Sequence, residues 1–225
     1  GLGDVYKRQA EESGVARKPI KDELGYRRRL AARLDKTATL IQSVADTVKA
    51  SPKKIVFAEG EQETVIRAAV QFYKEGYGTP VLVGREEKVS AAIEEIGLKE
   101  AKGIEIVNAS KSNKNHEYLE FLYKRLNRRG YLERDCQRLV NQDRNIFASC
   151  MVANGDADGL VTGSTRNYFV AYDDITRVID PAPKSRIFGM SIIMVEGRTL
   201  FVADTTVHYN PSSEELADIA CQTAE

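Results

Sequence analysis

The residues best suited to chemistry lie in Ala157-Asp158-Gly159-Leu160-Val161-Thr162-Gly163-Ser164-Thr165-Arg166-Asn167, where a short apolar run enters a loop of small and hydroxyl side chains and a helical pattern follows. Thr162, Gly163, Ser164, Thr165, Arg166 and Asn167 would present backbone N–H groups, hydroxyls and one guanidinium ahead of a helix. Such a set favours an anion, and a phosphate above all. The competing reading is structural: Thr162 or Ser164 caps the helix and the glycines turn the chain. Local chemistry leaves both open, because Gly/Ser/Thr loops after strands are common in α/β proteins.

Other reactive side chains offer less. His116 follows Asn113 to Asn115 at a helix start and His208 precedes Tyr209-Asn210-Pro211 in a turn, and neither has a metal-ligand or base partner at a recognisable spacing. Asp156 and Asp158 read as turn or cap residues at a strand entrance. Cys136, Cys150 and Cys221 are odd in number and lack C-x-x-C spacing, so neither a disulfide framework nor a zinc site is expected. Cys136 and Cys150 fall on the apolar side of a helix, as buried small hydrophobes in a reducing, cytoplasmic compartment.

Composition narrows the function class. Across 225 residues, 33 Lys plus Arg balance 33 Asp plus Glu, so no net field draws the chain to nucleic acid or to an anionic membrane. The longest apolar runs, such as Ile192 to Val195, are strand length, against the roughly 20 residues of a membrane span. Gly1 to Gln9 lacks the apolar segment of a signal peptide and departs from the pattern that begins at Ala10, so it reads as a scar outside the fold. At the other end, Ala217 to Glu225 stops inside a helical pattern without a terminating signal, as a fragment would.

The elements that must position the loop follow from periodicity. Residues 10–51 read as a charged helical lead-in, with Arg27-Arg28-Arg29 and Arg33 on a solvated face opposite Leu24, Leu30, Leu34, Leu40, Ile41 and Val44. Beyond Pro52, Lys54 to Ala58 reads as a buried strand. An acidic helix start at Glu59-Gly60-Glu61 follows, with Val65, Ile66, Ala69, Val70 and Tyr73 at helical spacing. Strands at Pro80 to Gly84 and Ile104 to Val107 alternate with helices at Glu86 to Ile96 and His116 to Asn127. This alternation predicts an α/β fold with a parallel sheet flanked by helices. The apolar face from Leu132 to Ala153 predicts a helix stopped at Asn154-Gly155, and a domain boundary is placed there. Residues 52–155 are then a first α/β domain and 156–225 the truncated start of a second. Tyr168, Ala171, Tyr172, Ile175, Val178 and Ile179 predict a helix ended by Pro181. Arg186 to Val195 and Arg198 to Ala203 predict an antiparallel hairpin around Glu196-Gly197, and Ser212 with Glu215 has capping-box spacing for a last helix.

Four stretches carry a family resemblance: Lys54 to Glu61 with Val65 to Ala69, Ala157 to Gly163, Phe201 to Asp204, and Ser213 to Ala220. In order and spacing they resemble the phosphate acetyl/butyryltransferase family over about Pro52 to Glu225. Glu12 to Ile20 and Gly130 to Arg138 resemble, more narrowly, the hybrid bacterial NADP-dependent malic enzymes, in which a transferase-like domain follows the catalytic ones. The resemblance implies a phosphotransacetylase-like fold whose cleft takes acetyl-CoA or an acyl phosphate. Thr162 to Asn167 would line that cleft, and Asp204, Thr205 and Thr206 would face it from another strand end. NADP and a divalent metal would belong to a malic enzyme part absent from these residues. The implied partners are a small-molecule ligand and further copies of the chain.

One departure bears on activity. Active transferases of the family carry an arginine in the helix after the glycine loop; by offset it falls near Asp173 here, and the nearest arginine, Arg177, comes about one turn later. A carboxylate there would repel phosphate. Three readings stay open: a non-catalytic acyl-CoA sensor regulating a malic enzyme, an active phosphate acetyltransferase, and a structural or oligomerising domain.

Overall fold

The computed structural model describes residues 36–97, 104–195 and 198–224, together with Gln9, Ser13 and Gly14. The Gly1 to Arg8 part of the expected scar lies outside the described residues, as do the lead-in arginines and the Glu196-Gly197 turn. Helix α1 (Lys36–Ala50) leads into strand β1 (Lys53–Phe57), followed by α2 (Glu63–Lys74), β2 (Gly78–Val83), α3 (Glu86–Ile96) and β3 (Glu105–Val107). Three helices come next, α4 (Asn115–Leu126), α5 (Glu133–Gln142) and α6 (Arg144–Ala153), and then β4 (Gly159–Val161) and α7 (Tyr168–Val178). Strands β5 (Met190–Val195) and β6 (Arg198–Ala203) precede α8 (Ser213–Ala224).

The first four strands form one sheet in the order β3-β2-β1-β4, and all its pairings are parallel. Its apolar strands run nearly without interruption because both faces are covered. Successive side chains point to opposite faces. Val56, Val81 and Val83 therefore pack with Tyr118 and Leu122 of α4, Val140 of α5 and Phe147 of α6. Phe57 and Leu82 pack on the other side with Ile66 and Val70 of α2 and Val89 of α3. The expected α/β architecture is thus observed. Cys136 and Cys150 are fully buried, and burial pushes the Cys150 thiol up to about 12.

Two expectations need correction. The boundary expected near Gly155 is only the end of a helix: Gly155 takes a left-handed φ of 78°, and the chain then adds β4 to the free edge of β1, with Val56 opposite Leu160. Asp158 closes this junction from both directions, donating its N–H to the Lys54 carbonyl at 2.7 Å and accepting the Lys54 N–H at 2.8 Å. The compact unit consequently runs Ala45–Arg186, and Ile187–Glu225 belongs to another. The single helical face from Leu132 to Ala153 is two helices, because Asp143 adopts an extended ψ of 114° and its carboxylate accepts the N–H groups of Asn145 and Ile146, starting α6 anew.

Residues 187–225 contain the expected hairpin, with Ile192 opposite Phe201, although its first strand begins at Met190 rather than Arg186. Ile192, Ile193, Leu200 and Phe201 are all exposed. The capping box of α8 is also present, with the Ser212 N–H donating to Glu215 at 2.8 Å and the Glu215 N–H donating to Ser212 Oγ at 3.3 Å.

Candidate functional site

Strands β1 and β4 are neighbours, but the chain leaves β1 toward β2 and returns to β4 on the opposite side. That makes their carboxyl ends a topological switch point, the position where open parallel sheets place ligands. Glu59 follows β1 and the Thr162 to Asn167 loop follows β4. The Glu59 carboxylate, on a residue only 4% exposed, accepts the backbone N–H of Ser164 at 2.6 Å and of Thr165 at 2.8 Å, and the Thr165 hydroxyl as well. Burial pushes this carboxyl up, but the Thr165 hydroxyl and the N–H groups of Thr165, Ser164 and Gly163 outweigh it, so the net displacement is downward. The loop is therefore built for an anion, and an internal carboxylate already fills it.

Gly60 is required beside Glu59. A Cβ there would lie 2.9 Å from the Val83 nitrogen, the Val83 oxygen and Leu82 Cβ, where real contacts essentially never occur. Gly60→Ala should therefore displace the Glu59 turn from β2 and lower the stability by about 1–3 kcal/mol, as overpacking does. A urea midpoint within error of wild type would show that the turn yields freely.

Arg166 is held in the same manner. Its Nη1 lies 2.7 Å from both Asp143 and Asp174, and the Asp174 side chain is only 7% exposed. Asn145 Nδ2 donates to Asp174 at 3.2 Å and accepts the Thr162 hydroxyl at 2.7 Å through its Oδ1, tying the loop to the start of α6. Arg177 pairs with Asp173 one turn behind it and lies 3.8 Å from Asp174. Neither Thr162 nor Ser164 caps α7; Asn167 does, accepting the Phe169 N–H at 2.9 Å. Gly163 does turn the chain, at a left-handed φ of 103°.

Glu59 and Glu61 are not an acidic helix start, since α2 begins only at Glu63. Glu61 instead receives a fork from Arg85, at 3.0 and 3.1 Å, and the Arg144 guanidinium at 2.9 Å. The Arg85 fork, with Arg144 in support, overcomes burial and lowers this carboxyl to about 2. These three residues border a cavity of about 260 Å³ that also touches Asn108, Ser110 and Gln142 at the ends of β3 and α5. Sequence reasoning missed Glu59, Asp143, Asn145 and Asp174 as partners of the β4 loop, and Glu61 as the partner of Arg85 and Arg144. The available signal was the position of Glu59 and Glu61 directly after a buried strand, where carboxylates face neighbouring strand ends.

Among residues 187–225, Asp204 sits at the end of β6 with a left-handed φ of 53°, and its carboxylate accepts the N–H groups of Val207 and His208, each at 3.3 Å. His208 was expected to lack a partner, but its Nδ1 lies 2.7 Å from Asp204 Oδ2 because the turn folds the ring back over the carboxylate. Thr205 is exposed beside the Thr206 hydroxyl, at 3.3 Å. His116 is exposed and lies 3.4 Å from Glu120. Among the described residues no cluster of three or more His, Cys, Asp or Glu is placed to hold a metal ion, and no helix is long and apolar enough to cross a membrane.

A family profile described as phosphate acetyl/butaryl transferase matches residues 39–225. The NADP-dependent malic enzyme of Rhizobium meliloti is 51% identical over 216 residues, which are 96% of this chain and 28% of that protein. The phosphate acetyltransferase of Clostridium acetobutylicum is 33% identical over 194 residues, covering 83% of this chain and 57% of that one. Among solved structures, the EutD phosphotransacetylase from Staphylococcus aureus superposes with a TM-score of 0.71 at 28% identity, over 81% of this chain and 55% of that chain. A phosphotransacetylase from Streptococcus pyogenes gives 0.75 at 25% identity, over 82% and 56%.

Proposed function

We propose that this chain, which belongs to the phosphate acetyl/butaryl transferase family, serves an NADP-dependent malic enzyme as a domain that binds acetyl-CoA as a regulatory ligand and does not turn it over. The malic enzyme assignment is supported by the 51% identity to the Rhizobium meliloti protein, of which the chain spans about a quarter. On this reading NADP and a divalent metal belong to the remainder of that enzyme.

The observation that carries the non-catalytic reading is the internal pairing of the β4 loop. Transfer of an acyl group between a thiol and phosphate needs N–H donors or cations free to meet charge as it develops on the carbonyl oxygen and on the phosphate. Here the Ser164 and Thr165 N–H groups face Glu59, Arg166 is shared by Asp143 and Asp174, and Arg177 is drawn to Asp173. Asp173 also stands where the family resemblance places an arginine. A phosphate arriving at this loop would meet carboxylates before it met an uncommitted donor.

The test is a titration of acetyl-CoA against the complete enzyme, followed by malic enzyme rate and by acetyl phosphate formation. The expected result is a saturable change in malic enzyme rate with no acetyl phosphate. Formation of acetyl phosphate would establish the second reading, an active phosphate acetyltransferase, which the 33% identity to the Clostridium acetobutylicum enzyme favours. A malic enzyme rate indifferent to acetyl-CoA would remove the regulatory role.

A further inference from the structure

Arg129 ends the 3-10 turn after α4, Arg138 lies on α5 and Arg177 lies in the last turn of α7. With Gly130, Tyr131 and Asp135 they line a recess of about 460 Å³, within the size range of small-molecule sites. Gly130, at a left-handed φ of 89°, makes the tight turn that sets Arg129 and Tyr131 on the same rim.

The charges in this recess are unbalanced. Arg177 is already engaged by Asp173 and lies 3.8 Å from Asp174, so the uncompensated guanidiniums are Arg129 and Arg138, which face the single carboxylate of Asp135, itself accepting the Leu132 N–H at 3.1 Å as part of the α5 start. Among the described residues neither Arg129 nor Arg138 has a carboxylate within ion-pair distance. Arg129 is only near enough to Asp180 to add to the larger effect of Arg125, which holds that carboxyl below its usual range. The contrast with the rest of the unit is sharp, because Arg85, Arg144 and Arg166 all have carboxylates within 3.0 Å. Like charges gathered in a concave surface raise the local potential and concentrate counter-ions. Guanidinium forks match phosphate oxygens in pairs, and two of them without carboxylate partners suit a ligand carrying at least two negative charges.

We propose that the Arg129, Arg138 and Arg177 recess is a binding site for a pyrophosphate group or two neighbouring phosphates of a small molecule. It is distinct from the β4 loop, and it stands whether or not acetyl-CoA regulates the enzyme. The site holds the phosphate oxygens between Arg138 and Arg129, and Arg177, engaged by Asp173, borders the recess.

Titration calorimetry of inorganic pyrophosphate into the 225-residue chain at low ionic strength tests this. Saturable binding is expected, weakened about tenfold or more in Arg138→Gln and in Arg129→Gln, since each loses a charge-assisted bond. Thermal melts of both variants should match wild type, because neither side chain supports the fold. Arg134→Gln, on the same helix but outside the recess, should bind as wild type does. Displacement of pyrophosphate by CoA would assign the bound group to the coenzyme, and its retention would assign it to a free polyphosphate. Absence of binding by the wild type, equal binding by all three variants, or succinate binding as tightly as pyrophosphate would each overturn the proposal.

Discussion

Replacing Arg166 by alanine is expected to destabilise the domain by about 2–4 kcal/mol before any ligand is considered. The guanidinium bridges Asp143 and Asp174, and its loss leaves the nearly buried Asp174 carboxylate facing a second negative charge. Breaking a buried pair by removing one partner costs about 3–5 kcal/mol, and the 31% exposure of Arg166 lowers that figure through solvent screening. Asp174→Asn should partly rescue the variant, because the amide oxygen still accepts from Asn145 and the repulsion disappears. Urea unfolding of both single variants and the double variant measures the coupling. If the two losses simply add, the bridge is not the mechanism. The consequence for ligand studies is direct: weaker acetyl-CoA binding by Arg166→Ala has meaning only beside its unfolding curve, since the side chain supports the loop it belongs to.

Acidification is expected to weaken, progressively, the contacts that Glu59 makes with the β4 loop and Glu61 makes with Arg85 and Arg144. Glu59 and Glu61 both have carboxyl values lowered in the folded chain from the ordinary 4.5, Glu61 to about 2. The unfolded chain therefore takes up protons first, and the stability these groups contribute is complete above about 4.5 and declines as the pH falls. Glu61 should keep contributing until the pH approaches about 2. Glu59→Gln should cost about 1.5–3 kcal/mol at neutral pH, because an amide presents one acceptor and a new donor to N–H groups that met two carboxylate oxygens. It should also flatten the acid limb of the stability profile. Urea midpoints of wild type, Glu59→Gln and Glu61→Gln between pH 7 and pH 3 provide the comparison. Parallel profiles for the three proteins would rule out these carboxylates as the acid-sensitive groups.

What could be read along the chain was whatever depends on local spacing. Strand and helix alternation from Lys54 onward, the periodic face of α7, the paired strands around residues 196–197 and the Ser212 with Glu215 capping box are each written within a dozen or so residues. Burial of Cys136 and Cys150 followed from the same periodicity. The donors of the β4 loop were equally visible. Their partner was not, because Glu59 is 105 residues away and meets Ser164 only once β4 has been added to the edge of β1. Asp143 and Asp174 reach Arg166 for a related reason: the break between α5 and α6 brings one carboxylate to the loop, and α7 brings the other. Amino-acid sequence alone thus determined the loop's donors, for which negative charge was one of two open readings. Tertiary structure decided which charge it found, since a carboxylate carried in by the fold is always present at the loop, whereas a phosphate must arrive from solution and displace it.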